Sequence, residues 1–163
     1  RRGADRLIMR LGRRVAFDVG SVRIGVAASD AHSILATPLA HIKRNPDGLT
    51  TCANQVLQLD HVIEVYVGLP LNLNSSSTKS TGDAVEFARA LQAMLAIDVR
   101  LIDERFSTKI ASQSLRSKGL DSRDQRAVID SAAAAVILEA ALEHEKTTAT
   151  APGIKISEYA DES

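Results

Sequence analysis

The stretch Arg14-Val15-Ala16-Phe17-Asp18-Val19-Gly20-Ser21-Val22-Arg23-Ile24-Gly25-Val26-Ala27 decides how the chain is read. It predicts two short β-strands joined by a tight glycine turn. The first, Val15 to Val19, is apolar except for Asp18. Burying an unpaired carboxylate is very costly, so Asp18 needs a compensating group. A divalent cation serves when further carboxylates converge on the same spot. Gly20 and Gly25 let the backbone turn and leave room beside the acid. The plainer alternative is a strand-end Asp that caps the turn through its own backbone.

Working outward, the 163 residues suit one domain with a core of useful size. A composition of 45% hydrophobic and 25% charged residues is that of a globular chain. No run approaches the roughly eighteen apolar residues of a membrane span. Residues 1–12 form an arginine-rich leader without the apolar stretch of a secretory signal, which leads us to expect a cytoplasmic protein. One folded domain is expected over 13–146 and a disordered acidic tail over 147–163. The single cysteine, Cys52, excludes an internal disulfide and a cysteine metal site. Net charge is zero, yet basic residues gather in 1–23 and 105–126, so an anion-binding face would be local.

After the first hairpin, Ile34 to Ile42 is expected to be a third extended segment, with Pro38 placing it near a sheet edge. Asp47 can cap a helix running to Leu59. The β-branched run Val62 to Val67 ends in Gly68-Leu69-Pro70, and a helix over 81–95 follows a polar loop. Val99 to Ile102 makes a fifth strand, ending in Asp103-Glu104-Arg105. A short helix from Thr108 stops at Gly119. Ser122 and Gln125 form a capping box for a long alanine-rich helix to Glu143. This order predicts an α/β fold. Its mixed five-stranded sheet has a three-strand antiparallel meander and two parallel strands, with helices on the faces. Ligands in such sheets gather beyond the carboxyl ends of the strands, where Asp18, Gly68 and Asp103-Glu104 all fall.

Asp130 shares a helical face with Ala134, Ile137 and Ala141 and therefore needs a partner. That partner is either a metal site or an arginine such as Arg23 or Arg105. If Asp18, Glu104 and Asp130 converge, three hard oxygen donors favour Mg²⁺ or Mn²⁺ over zinc. Such ions commonly complete their shells with phosphate oxygens and activate water for attack on a phosphodiester. Regular alternation aims Asp103 and Glu104 to opposite faces. Glu104 is the favoured ligand and Asp103 the supporting acid. His32, His41, His61 and His144 show no catalytic spacing and are read as surface or turn residues.

Four motifs together resemble the YqgF/RuvX family of bacterial nucleases, which are related to Holliday-junction resolvases and have the RNase H-like fold. They are Asp18 to Ala27, Val67-Gly68-Leu69-Pro70-Leu71-Asn72, Asp103-Glu104-Arg105-Phe106-Ser107-Thr108 and Ile129-Asp130-Ser131-Ala132-Ala133-Ala134, in order across residues 14–145. The resemblance implies a magnesium site at Asp18, Glu104 and Asp130. It implies hydrolysis of nucleic-acid phosphodiesters, either at the 5′ end of precursor 16S rRNA or in branched DNA. It also implies that Arg23, Arg105, Asn72 and Arg126 contact substrate or brace the acids. A monomer or homodimer is expected, the dimer suiting a two-fold junction. Two departures stand out: Leu73-Asn74-Ser75-Ser76-Ser77 lacks the family's loop glycine, and Ser107 replaces a common threonine.

Two other classes remain. Actin-like kinases also use an Asp-x-Gly turn, but they need two domains closing over nucleotide. A non-catalytic nucleic-acid-binding module would have to recognise shape and phosphate, because only 3% of residues are aromatic.

Overall fold

The computed structural model describes residues 9–71, 78–106 and 130–160. Strand β1 (Arg13–Val19) turns through Gly20 into β2 (Arg23–Ser29), and β3 (Ala36–Lys43) completes an antiparallel meander. Helix α1 (Gly48–Gln58) leads to β4 (Val62–Leu69), which lies parallel to β1. Helix α2 (Lys79–Met94) leads to β5 (Asp98–Asp103), parallel to β4. A 3₁₀ turn over Glu104–Phe106 follows, and α3 spans Ala132–Thr148.

The expected mixed α/β sheet is present, with one correction to the strand count. Among the described residues the sheet has six strands rather than five, in the order β3-β2-β1-β4-β5-β6. The sixth, β6 (Ile154–Lys155), pairs antiparallel with β5. It falls where a disordered tail is expected from the sequence. Two residues are too few to show alternation, and Ile156, just beyond, is buried in the core. Ile156 thus supplies apolar burial that holds the segment against β5. Pro38 does lie in an edge strand, where its missing N–H is harmless. The expected helix from Thr108 and the Ser122/Gln125 capping box lie outside the described residues.

The two faces of the sheet are built differently. On one, Val15, Phe17, Val26, Val65, Val67 and Leu101 pack beneath α1 and α2. Phe17 meets Phe87 of α2 edge-on, with ring centroids 6.4 Å apart. Each such fully buried side chain contributes about 1.5–3 kcal/mol. Cys52 of α1 belongs to this core, where burial pushes its thiol up to about 12 despite the nearby Arg44 charge. On the other face the strands present Ala16, Ala27, Tyr66 and Ile102 to α3, which answers with Ala134, Ile137, Leu138 and Ala141. Alanine on both partners lets this helix lie close against the sheet.

At the end where β1 and β4 begin, buried charge replaces apolar packing. Arg14 is fully buried and pairs with Glu145 of α3 at 3.1 Å. Arg10 bridges Glu145 and Glu64, each at 2.7 Å. The Tyr66 hydroxyl donates to Glu64 Oε1 at 3.0 Å. Burial alone would raise the Glu145 carboxyl, but the Arg10 hydrogen bonds and the two arginine charges hold it down to about 2. Arg14, read from sequence as part of a basic segment, is instead an interior cation.

Candidate active site

The opposite end of the α3-covered face holds the acids. Asp18 pairs with Gly25 across the first hairpin. Phe17 pairs with Val67, which sets Asp18 beside Gly68 on β4. Gly68 in turn pairs with Ile102, two residues before Glu104. Register alone therefore lines up Asp18, Gly68 and the end of β5.

Gly68 is small because Glu104 crosses over it. A Cβ at position 68 would lie 2.9 Å from both Cγ and Cδ of Glu104, and 2.6 Å from Ile137 Cδ1. Through that gap the Glu104 carboxyl reaches a hydrogen bond with Asp18. Burial first, then the Asp18 charge and that bond, push Glu104 up to about 8. Beside the Asp18 carboxylate, Glu104 favours its protonated form in the absence of a cation.

Gly25 plays the same part toward Asp130. A Cβ there would sit 2.7 Å from the Asp130 carbonyl oxygen and 3.5 Å from Asp18 Cβ. The Val26 N–H donates to Ser131 Oγ at 2.9 Å, fastening the head of α3 to β2. Neither Gly25 nor Gly68 has a positive φ, so close approach explains both. The sequence pattern places Asp130 two turns inside a helix. In the structure it is an exposed turn residue, with Ser131 as N-cap of a helix that starts at Ala132. The i+4 and i+7 spacing continues through a residue that is itself outside the helix, so periodicity could not mark that boundary.

Asp130 brings its Oδ2 within 3.4 Å of Arg23 Nε and 3.1 Å of His41 Nδ1. The arginine alternative considered from sequence is therefore realised in part, although Arg23 is half exposed rather than buried. Asp103 accepts the Arg105 backbone N–H at 2.9 Å and its guanidinium Nε at 3.0 Å. Burial would raise the Asp103 carboxyl, but these bonds hold it below the usual carboxylate range. The 3₁₀ turn begins at Glu104 and breaks strand alternation there, so the two neighbouring acids diverge: Asp103 to Arg105, Glu104 to Asp18. No group of three His, Cys, Asp or Glu side chains stands ready at ligating distance among the described residues. Asn72 and Arg126 lie outside the described residues.

Two residues near the acids escaped the sequence reading. His41, expected to be a surface or turn residue, sits half-buried on β3 beside Asp130. Arg44 donates through Nη1 to the Gly20 carbonyl at 2.8 Å and grips Asp83 of α2 with both terminal nitrogens, at 2.9 and 2.7 Å. Its guanidinium also lies 5.7 Å from the Phe87 ring centroid. Arg44 thus braces the turn that follows Asp18. An Asp four residues into a helix, distant in sequence from a lone arginine, offers no local sign of that bridge.

The fold and family follow from comparison with known proteins. RuvC from T. thermophilus, solved in complex with a Holliday junction substrate, superposes with a TM-score of 0.53 at 14% identity. The match covers 86% of this chain and 98% of that one, and it establishes the RNase H-like fold. Relatives bearing the name "Putative pre-16S rRNA nuclease" align over most of the chain. That of Leifsonia xyli is 47% identical, covering 89% of this chain and 94% of its own length. That of Clavibacter michiganensis is 47% identical over 89% and 91%, and that of Mycobacterium leprae 49% over 78% and 71%. The model of the RuvX family, described as Holliday junction resolvase, matches residues 12–144, and the chain belongs to that family.

Proposed function

We propose that this chain is a metal-dependent nuclease that hydrolyses phosphodiester bonds at the 5′ end of precursor 16S rRNA. The carrying observation is the Asp18–Glu104 contact at the carboxyl end of the sheet, with Asp130 held against the same glycine-lined face. The relatives' name supports the RNA substrate.

The donor set fits Mg²⁺ or Mn²⁺. All three acids offer hard oxygens, and Glu104, pushed toward protonation by burial and by Asp18, would be relieved by a cation. Asp18, Glu104 and Asp130 would hold the ion. When bound, it polarises the phosphate and lowers the pKa of water, so no histidine base is required. The protein's own task is placement. Gly68 admits Glu104, Arg44 fixes the turn after Asp18, and Ser131 ties Asp130 to the sheet. Arg23, at the rim, has the planar fork suited to phosphate oxygens. Asp103 and Arg105 brace the turn that aims Glu104.

A second reading, resolution of four-way DNA junctions, is favoured by the family description alone. Incubating the protein with a 5′-extended 16S rRNA leader and with a four-way junction, each with Mg²⁺ or EDTA, separates them. Mg²⁺-dependent trimming of the leader supports the proposal, whereas preferential cutting of the junction moves the substrate to DNA. Salt-sensitive binding with no cleavage of either would favour a non-catalytic module.

A further inference from the structure

We propose that His41 is a positioning residue for the Asp130 carboxylate, an inference that rests on the metal-site reading above. The pairing of β2 with β3 slips at this point. Ile24 pairs with Ile42 and Val26 with Leu39, so Ala40 and His41 together face the single residue Gly25. A bulge of this kind bends the strand and redirects a side chain. Gly25 is also the residue that pairs with Asp18 and lies under the Asp130 carbonyl. The bulge therefore delivers His41 to the place where two of the acids meet the sheet.

The His41 side chain is 21% exposed, yet its Nδ1 is shut off from solvent and makes no fully aligned hydrogen bond. Asp130 Oδ2, 3.1 Å away, is the acceptor it faces. A buried nitrogen without a partner is costly, and a small ring rotation lets Nδ1–H donate to that oxygen. Arg23 also comes nearest to this oxygen, so both neighbours crowd Oδ2, and Oδ1 accepts no hydrogen bond among the described residues. Gripped on one side, the carboxylate keeps its other oxygen for the ion. Hydrogen bonds to ligating carboxylates commonly tune affinity by about 10- to 100-fold.

Mn²⁺ binding, followed by electron paramagnetic resonance, tests this in wild type, His41→Leu, His41→Asn and His41→Gln. The Asn amide nitrogen can occupy the Nδ1 position, whereas the Gln amide lies one carbon farther out. The expected result is roughly tenfold weaker Mn²⁺ binding for Leu and Gln. Asn should restore wild-type affinity, and metal-free melting temperatures should not follow that order. Wild-type affinity in His41→Leu, or in His41→Gln if the leucine variant does not fold, overturns the inference while leaving the metal site intact. So does an asparagine variant as weak as leucine. Absence of Mn²⁺ binding in wild type itself overturns both readings.

Discussion

The side chain of Glu104 occupies the space that a side chain on Gly68 would fill, with its Cγ and Cδ each 2.9 Å from that virtual Cβ. The acid belongs to the end of β5 but acts beyond β4, beside Asp18 on β1. Only a residue without a side chain on the intervening strand permits that reach.

Gly68→Ala should therefore disable the site and strain the fold. Ile137 blocks the new methyl from one side at 2.6 Å and Glu104 from the other. Overpacking of this kind costs about 1–3 kcal/mol. Chemical denaturation should show that loss, and nuclease activity should drop by more than the fraction unfolded. Full activity in Gly68→Ala would show that Glu104 need not cross β4.

Stability without metal should depend on pH through Glu104. Its carboxyl is raised from 4.5 to about 8 in the fold, by burial and then by Asp18. The folded state thus holds this proton more tightly than the unfolded state. The associated stability is complete below the unfolded value and is lost as pH rises toward the folded one. Melting temperature in EDTA should fall between about pH 4.5 and pH 8, and Glu104→Gln should flatten that slope. Added Mg²⁺ at pH 8 should raise the melting temperature of wild type and not of Glu104→Gln.

Glu145 tests the far end of the sheet with the opposite sign. Its carboxyl is lowered to about 2 because the arginine bonds outweigh burial, so its contribution is present above the unfolded value of 4.5 and is lost as pH falls toward 2. Removing one partner of a buried ion pair costs about 3–5 kcal/mol, and Glu145→Ala would strand Arg14 in the interior. Arg14 and Asp18 are four strand residues apart, roughly 13 Å. Cleavage per folded molecule should be unchanged, as a comparison of activity with folded fraction would reveal.

Arg44→Ala should loosen the turn after Asp18. It removes a paired grip on Asp83, a bond to the Gly20 carbonyl and a ring contact. Partial exposure moderates the penalty, which should be about 1–2 kcal/mol. Arg44→Lys should recover little, because an ammonium cannot reproduce the fork. Urea denaturation of the two variants measures both expectations.

Much of this was legible in the chain. Asp18 in an apolar strand and strands alternating with helices are enough to indicate the mixed sheet and to set Asp18 and Asp103-Glu104 at one end of it. Alternation alone aims the neighbouring pair Asp103-Glu104 to opposite faces, whereas in the structure a 3₁₀ turn that breaks the alternation separates them, Asp103 toward Arg105 and Glu104 toward Asp18. What local pattern could not reveal were features set by register. The bulge that aims His41 has no residue signature, and the contact of Ile154–Lys155 with β5 is too short for periodicity. The helix boundary at Ser131 is hidden because the alanine-rich pattern runs through it. Gly25 and Gly68 look like turn glycines until the chains that cross them are seen.

The most direct test of the central claim is single-turnover cleavage of the 16S rRNA leader by wild type and Asp18→Asn, each in Mg²⁺ and in EDTA. The substitution keeps the shape of the side chain beside Gly25 and removes its charge. Cleavage by wild type in Mg²⁺ alone, with loss of at least a hundredfold in Asp18→Asn (about 2.7 kcal/mol of barrier), is the expected result. Equal cleavage by the two proteins, or cleavage that survives EDTA, would contradict a metal site built on Asp18 and Glu104.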